Sequence, residues 1–125
     1  MSIVGYHHVP LDEVEPTTDR PCLRRSISET AALENVAVNL YEPAPGEAIP
    51  LAYHVHDEQE EVFYVASGEL SVETPGETYV VRSNEALVVE PESPQRAFVA
   101  EDADGPARVL AVGAPAVDDV HPYEP

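Results

Sequence analysis

Two histidines and a glutamate lie close together in the middle of the chain, at a spacing that suits a metal ion. His54 and His56 stand two positions apart, so on a β-strand both imidazoles emerge from the same face. Glu61 follows His56 after four intervening residues. Two neutral imidazoles and one ionised carboxylate form a facial triad that suits Fe(II), and also Mn, Ni, Co or Zn. Such a triad leaves coordination positions open to water or to a small-molecule substrate.

The segments that must position this triad have sequence patterns that predict short strands. Apolar or alternating patterns recur at residues 62–65, 69–73, 78–81, 86–89, 96–99 and 108–112. Thirteen prolines punctuate the chain and disfavour long helices. Residues 33–40 fit helical and strand spacing equally well, and the neighbouring strands favour a strand there. Eight or nine short strands separated by turns predict an all-β sandwich or barrel.

The charge excludes several classes of partner. The chain has 24 acidic residues and six basic ones, all of them arginines, which gives a net charge of −18. A nucleic-acid binder needs a basic surface, and an anionic membrane would repel this protein, so neither partner is expected. The single cysteine, Cys22, cannot form an intrachain disulfide. Since no signal-peptide or membrane-spanning pattern is visible either, we expect a cytoplasmic protein.

The same charge makes predictions about the solvent and the surface. Self-repulsion destabilises a compact acidic domain and salt screens it, so we expect a protein adapted to molar salt, as in a halophile. An ordinary acidic cytosolic protein is the alternative. Arg24 and Arg25 are available to bind an anionic substrate, but surface ion pairing is the favoured interpretation in so acidic a chain.

The triad and its flanking residues resemble the first motif of the cupin family. That motif has a Gly, then His-x-His, three or four residues, a Glu, six residues and a second Gly. His54, His56, Glu61 and Gly68 fit the second part without adjustment. Gly46 is separated from His54 by seven residues, where five are usual. The resemblance covers about residues 33–112.

The second cupin motif, Gly-x5-Pro-x-Gly-x2-His-x3-Asn, has a degraded counterpart at residues 84–99. Asn84 takes the first Gly position, where Asn tolerates a positive φ better than most residues. Glu90 and Glu92 stand in place of the Pro and the second Gly. Gln95 replaces the His that is the usual fourth ligand, and Val99 replaces the Asn. The resemblance therefore implies Gln95 as a fourth ligand, one weaker than imidazole for late transition metals.

The resemblance also implies the architecture. We expect one cupin domain over residues 1–125, a β-barrel of the double-stranded β-helix or jelly-roll type. Within it, residues 1–21 would form an N-terminal arm, about 22–113 the barrel and 114–125 an irregular tail. Cupins often pair as homodimers through sheet edges and N-terminal arms, and we expect the same here.

Aromatic side chains near the triad are candidates for contacting the substrate. Tyr53, Phe63 and Phe98 are the three we name, although a place in the core is the alternative for each. Phe63 shares the strand face of Glu61, and Glu60 faces the opposite way. Glu60 and Tyr53 are the available candidates for a general base. Arg96 should point outward if Gln95 points inward.

Two classes of function remain open from these residues. The first is a metal-dependent enzyme acting on a small molecule, for which the resemblance implies a dioxygenase, an isomerase, a decarboxylase or another lyase. The second is a non-catalytic module that binds a sugar or another metabolite beside a degenerate metal site. A regulator is less favoured, because no DNA-binding segment is attached.

Overall fold

The computed structural model describes residues 5–17 and 21–124, with the side chains of residues 50–52 left out. Ten strands, one short α-helix, α1 (Ile27–Ala31), and one turn of 3-10 helix (Leu11–Glu13) make up most of the described chain. The strands are β1 (Leu23–Ser26), β2 (Ala37–Glu42), β3 (Ala48–His56), β4 (Glu60–Ser67), β5 (Glu69–Glu73), β6 (Thr78–Arg82), β7 (Glu85–Val89), β8 (Gln95–Phe98), β9 (Arg108–Ala114) and β10 (Val120–Pro122).

The ten strands form two antiparallel sheets of five strands each. The order in the first sheet is β1-β2-β9-β4-β7, and in the second it is β10-β3-β8-β5-β6. Their inward side chains meet in one core cluster, where Phe63 and Val65 of the first sheet join Leu70 and Val72 of the second without exposed surface. Fully burying such a side chain stabilises the fold by about 1.5–3 kcal/mol. The all-β jelly-roll prediction is confirmed.

Only the second half of the segment with ambiguous periodicity, residues 37–40, is a strand, and a single helical turn precedes the segment. Ser26, the last residue of β1, caps the N-terminus of α1, because its Oγ accepts a hydrogen bond from the backbone N–H of Glu29 at 3.1 Å. Ala32 ends the helix in the left-handed conformation, with φ of 55°. Strand β2 then pairs with both β1 and β9. Backbone pairing on both sides decides between the two patterns.

Two residues that replace glycines of the second motif keep a glycine-like backbone. Asn84 and Glu92 both have φ of 65°. The N–H of Glu92 donates to the carbonyl oxygen of His56 at 2.7 Å. The loop before β8 therefore anchors to the strand that carries both histidines, although its sequence departs from the motif.

The expectation of an irregular tail after residue 113 is wrong. Strand β10 pairs with β3, and Val120 lies opposite His56 in the register. A free edge of β3 would leave backbone donors and acceptors unpaired, and β10 covers that edge. The division at residues 21 and 113 otherwise stays a prediction.

The N-terminal segment is held by the two adjacent arginines. Arg25 donates to the carbonyl oxygens of Leu11 and Val14 at 3.2 and 2.7 Å, and forms an ion pair with Glu42 at 2.9 Å. Arg24 forms an ion pair with Glu29 at 2.9 Å and is only 8% exposed. Ion pairing thus accounts for both side chains, with Arg24 deeper than expected.

Among the described residues, no helix has the length and hydropathy to cross a bilayer.

Candidate metal centre

The candidate ligands come from three strands in two sheets. His54 and His56 lie on β3, Gln95 lies on the neighbouring β8, and Glu61 lies on β4 of the other sheet. His54 is directly opposite Gln95 in the β3–β8 register. The inward faces of the two sheets therefore bring all four side chains to one place, between the sheets.

The three residues of the predicted triad have their ligand atoms within 4.8 Å of one another. Nε2 of His56 is 3.0 Å from Oε1 of Glu61. The two imidazole rings are nearly perpendicular, with centroids 5.1 Å apart. His54 is 3% exposed, and the side chains of His56 and Glu61 are 15% and 12% exposed. A partly buried set of two nitrogens and one carboxylate matches the donor preference of divalent transition metals.

Gln95 completes the cluster as a fourth polar group. Its Nε2 lies 3.2 Å from Nε2 of His54 and donates to Oε1 of Glu61 at 3.2 Å. The residue is 1% exposed, and its Oε1 has no hydrogen-bond partner among the described residues. A buried acceptor without a partner is costly, and a cation is a partner that an amide oxygen can take. The donor set of His54, His56 and Glu61 therefore fits a divalent ion, whereas Gln95 turns its amide nitrogen toward these atoms and would have to rotate the amide to offer Oε1.

Asp119 is a member of the site that sequence reasoning missed. Its Oδ1 lies 2.8 Å from Nδ1 of His56. Its Oδ2 accepts hydrogen bonds from the backbone N–H groups of Glu58 and Gln59, at 2.6 and 2.9 Å. In the sequence, Asp119 is one of two adjacent aspartates in a segment without a strand pattern. Asp119 reaches the site through the pairing of β10 with β3, and the sequence contains no pattern that predicts this pairing.

The carboxylates of Glu61 and Asp119, which lie beside His56, raise the pKa of its imidazole. The hydrogen bond to Glu61 raises the pKa of His56 to about 9, against the opposing effect of burial and with further help from Asp119. Burial by itself would raise the pKa of Asp119, but the hydrogen bonds from Glu58, His56 and Gln59 outweigh it and lower that pKa to about 2. Without a metal, His56 is therefore an imidazolium at neutral pH, and metal binding must release the proton on Nε2.

A cavity of about 170 Å³ adjoins the cluster. Gln59, Phe63 and Gly113 contribute to its wall, and a Cβ built at Gly113 would lie 2.6 Å from Cδ of Gln59. A 150 Å³ engineered cavity is known to admit benzene, so this space suits a ligand of similar size. The other lining residues are mainly apolar: Ala37, Asn39, Tyr41, Ile49, Ala111 and Val120.

Two of the three aromatic side chains proposed to contact the substrate lie elsewhere. Tyr53 packs against the ring of Tyr123, with centroids 5.0 Å apart, and Phe98 lies beneath the Arg96 guanidinium at 4.2 Å. Tyr53 is one position from the inward His54, and Phe98 is three positions from the inward Gln95. Strand alternation therefore turns both rings to the outer face. These two placements correct the expectation, whereas Phe63 does line the cavity.

Arg96 points outward as expected and forms an ion pair with Glu73 at 3.1 Å. Glu60 is exposed, and neither it nor Tyr53 lines the cavity, so neither candidate base is in place there.

A larger cleft of about 460 Å³ lies beside the loop at residues 102–106. Among the described residues, however, only His54, His56 and Glu61 form a cluster with metal-ligand geometry.

Solved structures of several proteins share this fold. The polyketide cyclase RemF from Streptomyces resistomycificus is 20% identical, with 96% of this chain and 87% of that chain covered and a TM-score of 0.80. A sugar phosphate isomerase of the cupin superfamily from Silicibacter pomeroyi is 22% identical, with coverages of 86% and 75% and a TM-score of 0.74. A predicted oxalate decarboxylase from Thermotoga maritima is 14% identical, with coverages of 86% and 98% and a TM-score of 0.73.

Sequence comparison gives the family. No curated protein matches the chain at a significant level. The profile of the cupin domain matches residues 39–113, which is more than half of the chain and contains all four candidate ligands. The chain belongs to the cupin family.

Proposed function

We propose that this cupin is a metal-dependent enzyme that acts on a small molecule. His54, His56 and Glu61 would hold a divalent ion, Fe, Mn, Ni, Co or Zn, with Gln95 as a fourth ligand. The observation that carries the proposal is the convergence of three ligand groups within 4.8 Å at the wall of a cavity. A divalent ion bound there supplies a Lewis acid for a substrate oxygen.

The residues around the ligands would shape the reaction space. Phe63 is fully buried and lines the cavity beside Glu61, so it excludes water from the reacting groups. Gln59 donates to the carbonyl oxygen of Pro115 at 3.1 Å, which holds its amide at the cavity wall. Asn39 and Tyr41 supply the remaining polar side chains of that wall, where they can orient a substrate.

The wall favours an uncharged substrate. Of the five arginines that the structure describes, none lines the cavity, and each is within ion-pair distance of a glutamate. A phosphate group is usually met by such cations or by backbone N–H groups. A weakly polar carbonyl compound, closer to a polyketide than to a sugar phosphate, suits this wall better. The reaction class stays open among dioxygenation, isomerisation and lyase chemistry.

A non-catalytic binding module is the second candidate. The observation in its favour is the hydrogen bond from Gln95 to Glu61, because it engages the carboxylate oxygen that a metal would need. In this alternative the cluster is a degenerate metal site, and the cavity binds a sugar or another metabolite without turnover.

Elemental analysis of untagged protein, purified without chelators, tests the proposal. We expect near-stoichiometric metal in the wild type, none in His54→Ala, and full occupancy in His121→Ala. His121 is a suitable control because it is exposed and its ion pair is with Asp57, at 2.7 Å, away from the candidate ligands. Absence of metal after incubation with each ion would overturn the metal proposal and favour the binding module.

Activity assays on the metal-loaded protein, with compounds from each candidate substrate class, then separate an enzyme from a metal-bearing scaffold. Loss of turnover in a folded His54→Ala variant would identify an enzyme. No turnover by the wild type, with an unchanged binding affinity for the same compound in that variant, would identify a scaffold.

We further propose that the protein is a cytoplasmic homodimer adapted to high salt. Four valines form one continuous cross-strand row on the outer face of the first sheet, in the register Val38, Val112, Val62 and Val88. Val88 is 64% exposed. This uncharged row is a surface on which two strongly acidic copies can approach. Sedimentation in molar KCl should show a dimer that Val88→Glu weakens, and a wild-type monomer would contradict the proposal.

A further inference from the structure

Asp119 joins the C-terminal segment to the candidate metal centre. It lies outside the stretch that matches the family profile, which ends at residue 113. The pairing of Val120 with His56 brings the preceding residue beside the imidazole. The side chain of Asp119 is 10% exposed, so this contact is shielded from water.

The two carboxylate oxygens of Asp119 have different partners. Oδ2 accepts from the backbone N–H groups of Glu58 and Gln59, which fixes the loop between β3 and β4. Oδ1 is left for Nδ1 of His56, at 2.8 Å. The carboxylate is thus held by the backbone at one end and can orient an imidazole at the other.

This arrangement selects one side of the His56 ring for the metal. A carboxylate that accepts from Nδ1–H keeps the proton on that nitrogen and leaves Nε2 as the ligand atom. Nε2 is the nitrogen that faces Glu61, at 3.0 Å. The same carboxylate makes the imidazole more basic and hence a better ligand.

We propose that Asp119 is a positioning residue of the metal centre, which orients His56 through Nδ1 and makes the C-terminal segment part of the site. The inference rests on the proposed metal-binding function. It adds a residue that the family match does not contain and assigns a role to the strand β10.

The test compares Asp119→Ala and Asp119→Asn with Asp118→Ala. Asp118 is exposed and carries the same charge one residue away, so it controls for the loss of a negative charge near the site. The first readout is Co²⁺ affinity, measured by competition with a chelator, together with the d–d absorption bands of the bound ion. Loss of a carboxylate partner of a ligating His typically costs about 10–100-fold in metal affinity.

We expect that loss in Asp119→Ala, altered d–d bands in both Asp119 variants, and wild-type values in Asp118→Ala. A merely structural residue would change the melting temperature and leave the spectrum of the folded, loaded protein unchanged. Co²⁺ affinity within twofold of wild type in Asp119→Ala, with an unchanged spectrum, would overturn the proposal.

A second readout needs no metal and separates this inference from the proposed function. In metal-free wild type, the Nδ1 proton of His56 should give a slowly exchanging NMR resonance, because it is partly buried and hydrogen-bonded. It should vanish from the spectrum of Asp119→Ala and remain in that of Asp118→Ala. If wild type binds no metal, the proposed function fails, and persistence of this resonance in Asp119→Ala would separately overturn the orienting role. Asp119→Asn keeps the size of the side chain and serves if the alanine variant does not fold.

Discussion

Nε2 of His56 and Oε1 of Glu61 lie 3.0 Å apart, although their strands belong to different sheets. His56 stands on β3 in the second sheet and Glu61 on β4 in the first. The contact therefore joins the two layers of the jelly roll. A divalent ion bound by both side chains would link the sheets directly.

Metal should accordingly stabilise the whole fold. A ligand that binds only the folded state adds about 4 kcal/mol when its free concentration is 1,000 times Kd. We expect the melting temperature to rise on addition of Zn²⁺ or Ni²⁺ and to fall again with EDTA, as followed by calorimetry. The rise should be absent in His54→Ala and present in His121→Ala. An equal rise in His54→Ala would place the stabilising ion elsewhere.

Restoring an imidazole at position 95 should strengthen the site. Imidazole is a better ligand than an amide oxygen for Ni²⁺ and Zn²⁺, so we expect Gln95→His to bind them about 10-fold more tightly. Arg96→His is the matched control, because residue 96 faces outward and pairs with Glu73. Titration against a competing chelator measures both affinities. A gain of the same size in Arg96→His, or none in Gln95→His, would contradict the placement of Gln95 among the ligands.

The stability of the metal-free protein should depend on pH through two groups. The pKa of His56 is raised from 6.5 to about 9, so its contribution to the unfolding free energy is complete below pH 6.5 and lost as pH rises through about 9. The pKa of Asp119 is lowered from 3.8 to about 2, so its contribution is complete above pH 3.8 and lost as pH falls through about 2. Urea unfolding in EDTA should therefore show the largest difference between wild type and His56→Gln from about pH 4 to 6.5.

Subtracting the His56→Gln curve removes the effect of the many other carboxylates, which both proteins share. A difference that stays constant between pH 6.5 and 10 would show that the two carboxylates do not hold the proton on His56.

Gly68 of the first motif should tolerate no side chain. Its φ is +84°, and a Cβ there would lie 2.7 Å from the carbonyl oxygen of Pro106 and 2.8 Å from Cα of Ala107. We expect Gly68→Ala to lower the unfolding free energy by about 2–4 kcal/mol, because a left-handed backbone and an overpacked contact both add cost. Gly76→Ala is the control, since no described residue has an atom within 4 Å of its Cβ position. Equal denaturation midpoints for the two variants would refute this reason for the motif glycine.

Salt should stabilise this protein more than an ordinary domain. Screening relieves the repulsion among 24 acidic side chains that only six arginines offset, so the melting temperature should rise between low and molar KCl. The triple variant Glu34→Gln, Glu77→Gln and Glu90→Gln removes three exposed charges and should show a smaller rise. A melting temperature of the wild type that does not change between low and molar KCl would contradict the proposal of adaptation to high salt.

The core of the candidate site was predictable because it depends on local rules. Alternation along one strand puts His54 and His56 on one face, and the spacing of the first motif adds Glu61. The fourth candidate, Gln95, came from position in a degraded motif, and the structure places it 3.2 Å from His54. The same alternation explains why Tyr53 and Phe98 were wrong as cavity residues, since each faces away from its inward neighbour.

The sequence by itself determined the strand-rich architecture and the shared face of the two histidines, because side-chain alternation and turn chemistry act over a few residues. The motif resemblance implied the jelly roll, the family and the place of Glu61 in the cluster. Only the tertiary structure decided which residues surround that cluster. Asp119 is 63 residues from His56 in the chain, and their contact depends on β10 adding to the edge of β3. Strand order and register arise from long-range backbone pairing and shared burial, which no local pattern records.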